Sequence, residues 1–537
     1  MGGGVDADRE VVVDGRRGAQ PTEPVAPAAG RRWGGVDVVL MVAVVVGAAL
    51  RLWGVTAQSL WFDEWSTGWA SSGSLGDLGF YLRGVDGLPP PYFMGMWVWA
   101  HVFGHSVLAL RAPSVIAGVA TIAVMYATAQ ALGLPRRVAR VVALLVAVNP
   151  MLVWYSQEAR SYSLLVLFSA LSLWAYAHVR TGGRDRDWRY WGLACVASVS
   201  VHYFGVFLVA AETVDLWRRR PEQRARILVA LRPTAVVVAV LAPWVLYQQL
   251  RHDPQDWVGG FPLLERLYDW AVDLLIGPVP ADGRVWLGAL VVVTFAVAVL
   301  VARAEPAERA LAGRLAAFGL TVVALPLAAN VVGIDAVLSR YMIAATVPLV
   351  LVVAMGLGHR RAGWLGPVGV AVIVAVSVPT VVYAVGEPDL SKPDWDQVAS
   401  VLESDETADG TRVMVVSDTG YKALPLLDLL DGARELTGEQ RARDVVEIDV
   451  LFGKATSHPC SLLIGLACSM VFVGQVVPAP VVEKVFLVER VELDQFVIER
   501  YGIRVPSLSV TRKDLLIPPN RKYGQVLAWP SGGAAGD

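Results

Sequence analysis

VDVVLMVAVVVGAALRLWGVTAQSLWFDEW, residues 36–65, decides the fold. An apolar run as long as a bilayer's hydrocarbon is thick ends at RLWG and gives way within a few residues to two adjacent carboxylates among aromatic rings. Crossing about 30 Å of hydrocarbon takes about 20 apolar residues, because a helix satisfies its own backbone groups there. Residues 36–55 therefore read as a first span and signal anchor, since no small-residue cleavage pattern follows it. The 35 residues before it are rich in Gly, Pro, Ala and charge, cannot bury a core, and are expected to form a disordered cytoplasmic tail.

The rest of the chain agrees. With 537 residues, 55% of them hydrophobic and only 18% charged, and a mean hydropathy of +0.51, this is the composition of an integral membrane protein. The formal net charge of −2 gives no basic excess, so no nucleic-acid partner is expected. Arginine-rich, Ala-, Val- and Gly-rich usage is that of a high-GC bacterium such as an actinobacterium.

Apolar runs continue to about Val385, separated by loops of two kinds. PRRVAR (135–140), RTGGRDRDWR (180–189), WRRRPEQRAR (217–226), RAEPAERALAGR (303–314) and GHRR (358–361) are basic and belong inside. NPMLVWYSQEAR (149–160), HYFG (202–205), RHDPQDWVGGFP (251–262) and IDAVLSR (334–340) are poor in basic residues and belong outside. The run at 92–107 is short and aromatic and is expected along the interface. Residues 191–217 have room only for two shortened helices, which would place His202 and Tyr203 at membrane depth beside a cavity open to the outer side. Length and charge together give about eleven spans, up to thirteen, in the bacterial cytoplasmic membrane, N-terminus inside and C-terminus outside.

After VVYAVGEP the pattern changes, and 386–537 reads as a soluble extracytoplasmic α/β domain following the 36–385 membrane domain. Asp394 and Gln397 form a capping box for a first helix. Strands are expected at 412–417, 445–452, 469–477 and 484–491, with a helix within ALPLLDLLDGAREL. No glycine-rich phosphate loop follows any of them, so no nucleotide site is expected. Cys195 reads as a core residue, and Cys460 and Cys468 as a disulfide suited to an oxidising outer compartment, the alternative being two buried free thiols.

Asp63 and Glu64 are the candidate catalytic acids. Neighbours on a helix lie about a third of a turn apart, so one can face a cavity while a cation anchors the other. Glu158, Arg160 and Tyr162 start another span on the same expected face, and Arg340 and Tyr341 a third. Each has a plain alternative: an aromatic belt, a surface ion pair, a snorkelling arginine.

LWFDE, LPPPYF (88–93), ALRAPS (109–114), NPMLVWYSQEARSYSLLVLFSALSLWAY (149–176), HYFG, APW (242–244) and SRYMIAATVPLVLV (339–352), in that order, resemble the GT-C membrane glycosyltransferases. The branch is that of protein O-mannosyltransferases and lipid A aminoarabinose transferases. The resemblance implies inverting transfer of a sugar, mannose or arabinose, from a polyprenyl-phosphate donor to a hydroxyl of a cell-envelope glycan, glycolipid or protein. It implies Asp63 as general base, with Glu64 orienting the acceptor, holding Arg160 or joining a metal. Arg160 and Arg340 would meet the donor phosphate, Glu158, Tyr162 and Tyr341 would join the donor or substrate site, and His202 and Tyr203 would line its pocket. A divalent ion on Asp63, Glu64 and Glu158 is a further option. Leu88 before the double proline, and Ser66 and Thr67 after the acidic pair, depart from the family pattern, so the substrate does not carry over. The rival readings are a transporter or flippase of lipid-linked sugars, which would want midplane charges and inverted repeats, and a membrane-anchored receptor.

Overall fold

The structure, a computed structural model, describes residues 2, 37–84, 89–252, 258, 261–277, 283–331, 333–386, 394–403, 410–416, 425–437, 440–453, 484–493, 496–505, 508–511, 515 and 525–531. The chain divides into two units, Met1–Val38 and Val39–Asp537. The expected N-terminal tail, apart from Gly2, and the expected Cys460–Cys468 disulfide lie outside the described residues.

Among the described residues before 387 the regular elements are helices. Helix α1 (Val38–Leu52) is followed by three short helices, α2 (Phe62–Ser72), α3 (Leu75–Gly84) and α4 (Pro90–Phe103). Then come α5 (Val107–Ala131), α6 (Arg136–Val148), α7 (Pro150–Ser156), α8 (Tyr162–Arg180), α9 (Asp185–Val201) and α10 (Gly205–Arg219). The series ends with α11 (Arg224–His252), α12 (Leu263–Ile276), α13 (Gly283–Arg303), α14 (Pro306–Val331), α15 (Thr346–Leu357) and α16 (Leu365–Gly386). Among the described residues, α5, α8, α11, α14 and α16 are long and apolar enough to cross a membrane, and α6 with α7 makes a sixth span broken by a 54° bend. The chain is a multi-pass membrane protein. Three shorter apolar helices, α1, α15 and the Leu287–Arg303 part of α13, fall below a full crossing, and with them the described residues give nine of the expected eleven spans. The 92–107 run is the 14-residue α4, too short to span, and 191–217 is broken into α9 and α10 with the break at His202.

The α6–α7 bend has a local cause. Pro150 offers no N–H to continue α6 and pushes Asn149 out of the helical region, to ψ 119°. Asn149 accepts the Leu152 N–H, while Arg51 of α1 donates to the freed carbonyls of Val146 and Ala147 and to Ser156 Oγ.

The basic loops pack against one another. Arg137 donates to Gly358 O, His359 meets Glu308 Oε2 at 3.3 Å, Arg361 donates to Arg303 O, and Arg220 to Arg180 O. One large core joins α5 through α10 with α14 and α15 and includes the buried Cys195.

Beyond α16, α17 (Trp395–Glu403) starts where the capping box was expected, with Asp394 Oδ1 accepting the Gln397 N–H at 3.1 Å. The strands are β1 (Gly410–Val416), β2 (Arg434–Glu435), β3 (Arg441–Ala442), β4 (Val445–Gly453), β5 (Val485–Glu492), β6 (Phe496–Ile503), β7 (Val510–Thr511) and β8 (Gln525–Ser531). Six form one sheet in the order β2-β8-β1-β4-β6-β5, with β1 and β4 parallel and its other described pairs antiparallel. Alternate residues feed two cores: Val413, Val415, Ile448 and Val450 on one face, Met414, Val416, Leu451 and Ile498 on the other, the latter covered by α17 and the four-residue α18 (Leu426–Leu429). Expected strands 412–417, 445–452 and 484–491 are β1, β4 and β5, and 469–477 lies outside the described residues. The helix expected in ALPLLDLLDGAREL shrinks to α18, and β6 and β8 went unforeseen.

Candidate active site

Asp63 and Glu64 sit in the first turn of α2, where a helix N-terminus favours negative charge. Their environments differ. Glu64 is 0% exposed, and its two carboxylate oxygens receive Arg111 Nε and Nη2 at 2.7 Å each, while Oε1 also accepts the Ala159 N–H at 2.8 Å. Arg111 spends its remaining donors on the carbonyls of Val55, Gln58 and Ser59. One bidentate pair thus fastens α2, the loop before it, α5 and the start of α8 together.

Glu64 was expected among the reacting acids. It is enclosed, and among the described residues its carboxylate is bonded by Arg111. Of the metal set suggested with Asp63 and Glu158, Glu64 already accepts from Arg111 on both its oxygens. Among the described residues no three His, Cys, Asp or Glu side chains stand where they could hold a metal ion.

Asp63 is the acid that faces outward, its side chain 17% exposed. Arg340 Nη1 lies 3.7 Å from Asp63 Oδ2, a distance of attraction rather than a tight hydrogen bond. Arg160 Nη1 donates to the Asp63 carbonyl at 3.1 Å. Arginines from two distant loops therefore meet at the same turn of α2.

The loop carrying Arg340 is held from below. Arg266 of α12 clamps Asp335 through two hydrogen bonds of 2.6 and 2.8 Å and donates to Val337 O. Neutralised by that partner, Asp335 has its carboxyl lowered despite the cost of partial burial. Arg340 lies over the Trp61 ring at 6.0 Å and the Tyr341 ring at 5.6 Å.

Beside them runs an aromatic wall. Tyr162 faces His202 at 5.6 Å between ring centres, His202 faces Tyr341 at 5.8 Å, and Phe204 stacks on Tyr341 at 5.1 Å. His202 caps α9, and its Nδ1 accepts the Phe204 N–H at 3.3 Å, which fixes the ring within the α9–α10 break. Tyr203 turns away and donates to Gln248 of α11. Glu158 accepts the Trp154 indole N–H at 3.1 Å and is 2% exposed.

Asp63, Arg160, Tyr162, His202, Arg340 and Tyr341 are thus brought together, while Glu64 bonds Arg111, Glu158 bonds Trp154 and Tyr203 bonds Gln248. Sequence reading passed over Arg111, Arg266 and Asp335. The first lay in plain view in ALRAPS, as an arginine inside an apolar run, where a charge requires a partner.

The arrangement offers a carboxylate flanked by guanidinium groups under an aromatic shelf, which suits removing a proton next to a developing anion. Residues 88–247, which carry Arg111, Arg160, Tyr162 and His202, match the family described as dolichyl-phosphate-mannose-protein mannosyltransferase. Over that segment the chain is similar to the protein O-mannosyltransferases. No curated protein matches it.

Solved structures similar to the chain include the Archaeoglobus fulgidus oligosaccharyltransferase in complex with Zn and sulfate, at 13% identity and a TM-score of 0.40, covering 69% of this chain and 56% of that one. ArnT from Cupriavidus metallidurans bound to undecaprenyl phosphate is 14% identical, with a TM-score of 0.44, covering 68% and 70%. The S. cerevisiae Pmt1-Pmt2 complex bound to the sugar donor is 19% identical, with a TM-score of 0.31, covering 40% and 33%. The chain spans about half the length of the archaeal protein and a third of the yeast one.

Proposed function

We propose that the chain is an inverting glycosyltransferase, moving a sugar from a polyprenyl-phosphate donor to a hydroxyl of a cell-envelope glycan, glycolipid or protein at the outer face of the cytoplasmic membrane. The observation that carries the reading is the meeting of the Asp63 carboxylate with Arg340 at 3.7 Å, with Arg160 on the same turn. Mannose is favoured over arabinose on the strength of the match over residues 88–247.

In this reading Asp63 takes the acceptor's proton as its oxygen attacks the anomeric carbon from the face opposite the phosphate. The glycosidic C–O bond breaks, and its electron pair leaves with the polyprenyl phosphate. Arg340, loosely paired with Asp63 beforehand, turns to that phosphate, and this frees the base as the donor arrives. The Tyr162, His202 and Tyr341 rings shelter the sugar from bulk water. The lipid tail anchors the donor, so no nucleotide pocket is needed.

The test is transfer by the purified protein from extracted polyprenyl-phosphate sugars, with donor consumption followed by mass spectrometry. Asp63→Asn is expected to lower turnover by about 100-fold or more, the usual contribution of a positioned base. Near-normal turnover would remove Asp63 from this role.

A further inference from the structure

In the C-terminal domain a cleft of about 570 Å³ is lined by Thr411, Arg434, Arg441, Arg443 and Asp444. That volume falls within the ~300–1,000 Å³ usual for ligand sites. Its three arginines are exposed and form no ion pair or side-chain hydrogen bond among the described residues. The domain's other charged clusters are different: Arg412, Arg490 and Arg500 are each matched to carboxylates. Among the described residues, three guanidinium groups against the acid Asp444 give the lining a net charge of +2.

Its walls are built. Arg434 is in β2, fixed to β8; Arg441 is in β3, fixed to β7; and Asp444, with φ 52°, turns the chain so that its carbonyl accepts the Thr411 N–H at 2.9 Å. Arginine forks match the paired oxygens of phosphate and carboxylate, and among the described residues the lining is four charged side chains and a threonine, with no apolar one to grip a peptide.

The cleft's location narrows the source. Helix α17 begins at Trp395, whose N–H donates to Ser59 Oγ in the loop before α2, and ends beside β1, where Arg412 donates to Leu402 O. Nine residues of helix separate those ends by about 13 Å, and Thr411 is next to Arg412 at the far one. The cleft therefore opens at the end of the sheet remote from the Ser59 contact.

We propose that this cleft binds a polyanionic glycan carrying phosphate or carboxylate groups, arriving from the aqueous side as the acceptor of the transfer reaction. The proposal rests on the transferase reading for the word acceptor and for taking the Ser59 end as the membrane face; the binding itself does not.

The full-length protein in phosphatidylcholine nanodiscs is titrated with inorganic tripolyphosphate, with oligogalacturonate and with an oligoglutamate of equal charge. The expected result is binding of the first two, weakened by added salt, and a loss of about tenfold or more in the Arg434→Gln/Arg441→Gln/Arg443→Gln variant, since each charge-assisted bond carries that much. The triple lysine variant keeps the charge and is expected to fall between. Asp63→Asn protein is expected to bind as wild type does, so failure of the transferase reading leaves this result standing. Equal affinity in wild type and the glutamine variant, or indifference to salt, would overturn the proposal. So would binding of oligoglutamate alone, or binding only to nanodiscs containing phosphatidylglycerol, which would point to a peptide or a lipid headgroup.

Discussion

Adjacent acids in α2 do different things, and the same substitution separates them. Asp63 is partly exposed and loosely paired, so replacing it with Asn leaves packing intact and touches only the proposed chemistry. Glu64 is enclosed with Arg111, and a buried ion pair that loses one member leaves the other charge unmatched. Glu64→Gln is expected to cost about 3 kcal/mol of stability. This should register as a lower detergent-solubilised melting temperature, with activity falling in step with the folded fraction rather than ahead of it. The acids' importance was legible in LWFDE, where carboxylates stand against the membrane. Their division of labour was not, because Arg111 lies 47 residues further along and nothing local names it as the partner.

Breaks in helices bring the site together. Pro150 stops α6 and His202 ends α9, and the second break lies beside Tyr162 and Tyr341. The second was read from a span too short for two crossings, while the first lies in a stretch read as an outer loop, NPMLVWYSQEAR. What a break costs is hidden in the sequence: the freed carbonyls at Val146 and Ala147 are satisfied by Arg51 from α1. Arg51→Met leaves them unpaired in an apolar interior, at about 1–3 kcal/mol for a buried group. We expect faster hydrogen exchange at the α6–α7 junction with little change elsewhere. Uniform exchange across the bundle would show that Arg51 serves the whole core instead. Gly118 accepts no side chain beside this junction, since a Cβ there would overlap Ser156 Oγ.

At the scale of the molecule, the helical bundle and the sheet domain answer to different physics. The sheet carries Glu447 and Asp449 together between Arg412 and Arg500. Burial and then the neighbouring Asp449 push the Glu447 carboxyl from 4.5 up to about 7, the two arginines only partly offsetting this, and burial raises Asp449 as well. A folded-state value above the unfolded one means the fold keeps a proton that the unfolded chain releases. The stability this contributes is complete below about 4.5 and is lost as pH rises towards about 7. The sheet domain is expected to be more resistant to unfolding at pH 5 than at pH 8, measured by exchange of the β1, β4 and β6 amides, and Glu447→Gln is expected to flatten that slope. An unchanged slope in the variant would place its origin outside this cluster.

Apolar length, arginine-rich loops and the shift after Val385 determined by themselves that this is a multi-pass membrane protein with a mixed α/β tail. Those properties follow from local composition, since a segment's transfer into hydrocarbon depends on its own residues. Tertiary structure alone decided which acid is buried and which is exposed, which arginine meets which carboxylate, and how β6 and β8 enter the sheet. Each of these is a pairing between residues far apart in the chain, set by charge neutralisation and packing in three dimensions, and no short window of sequence contains both partners.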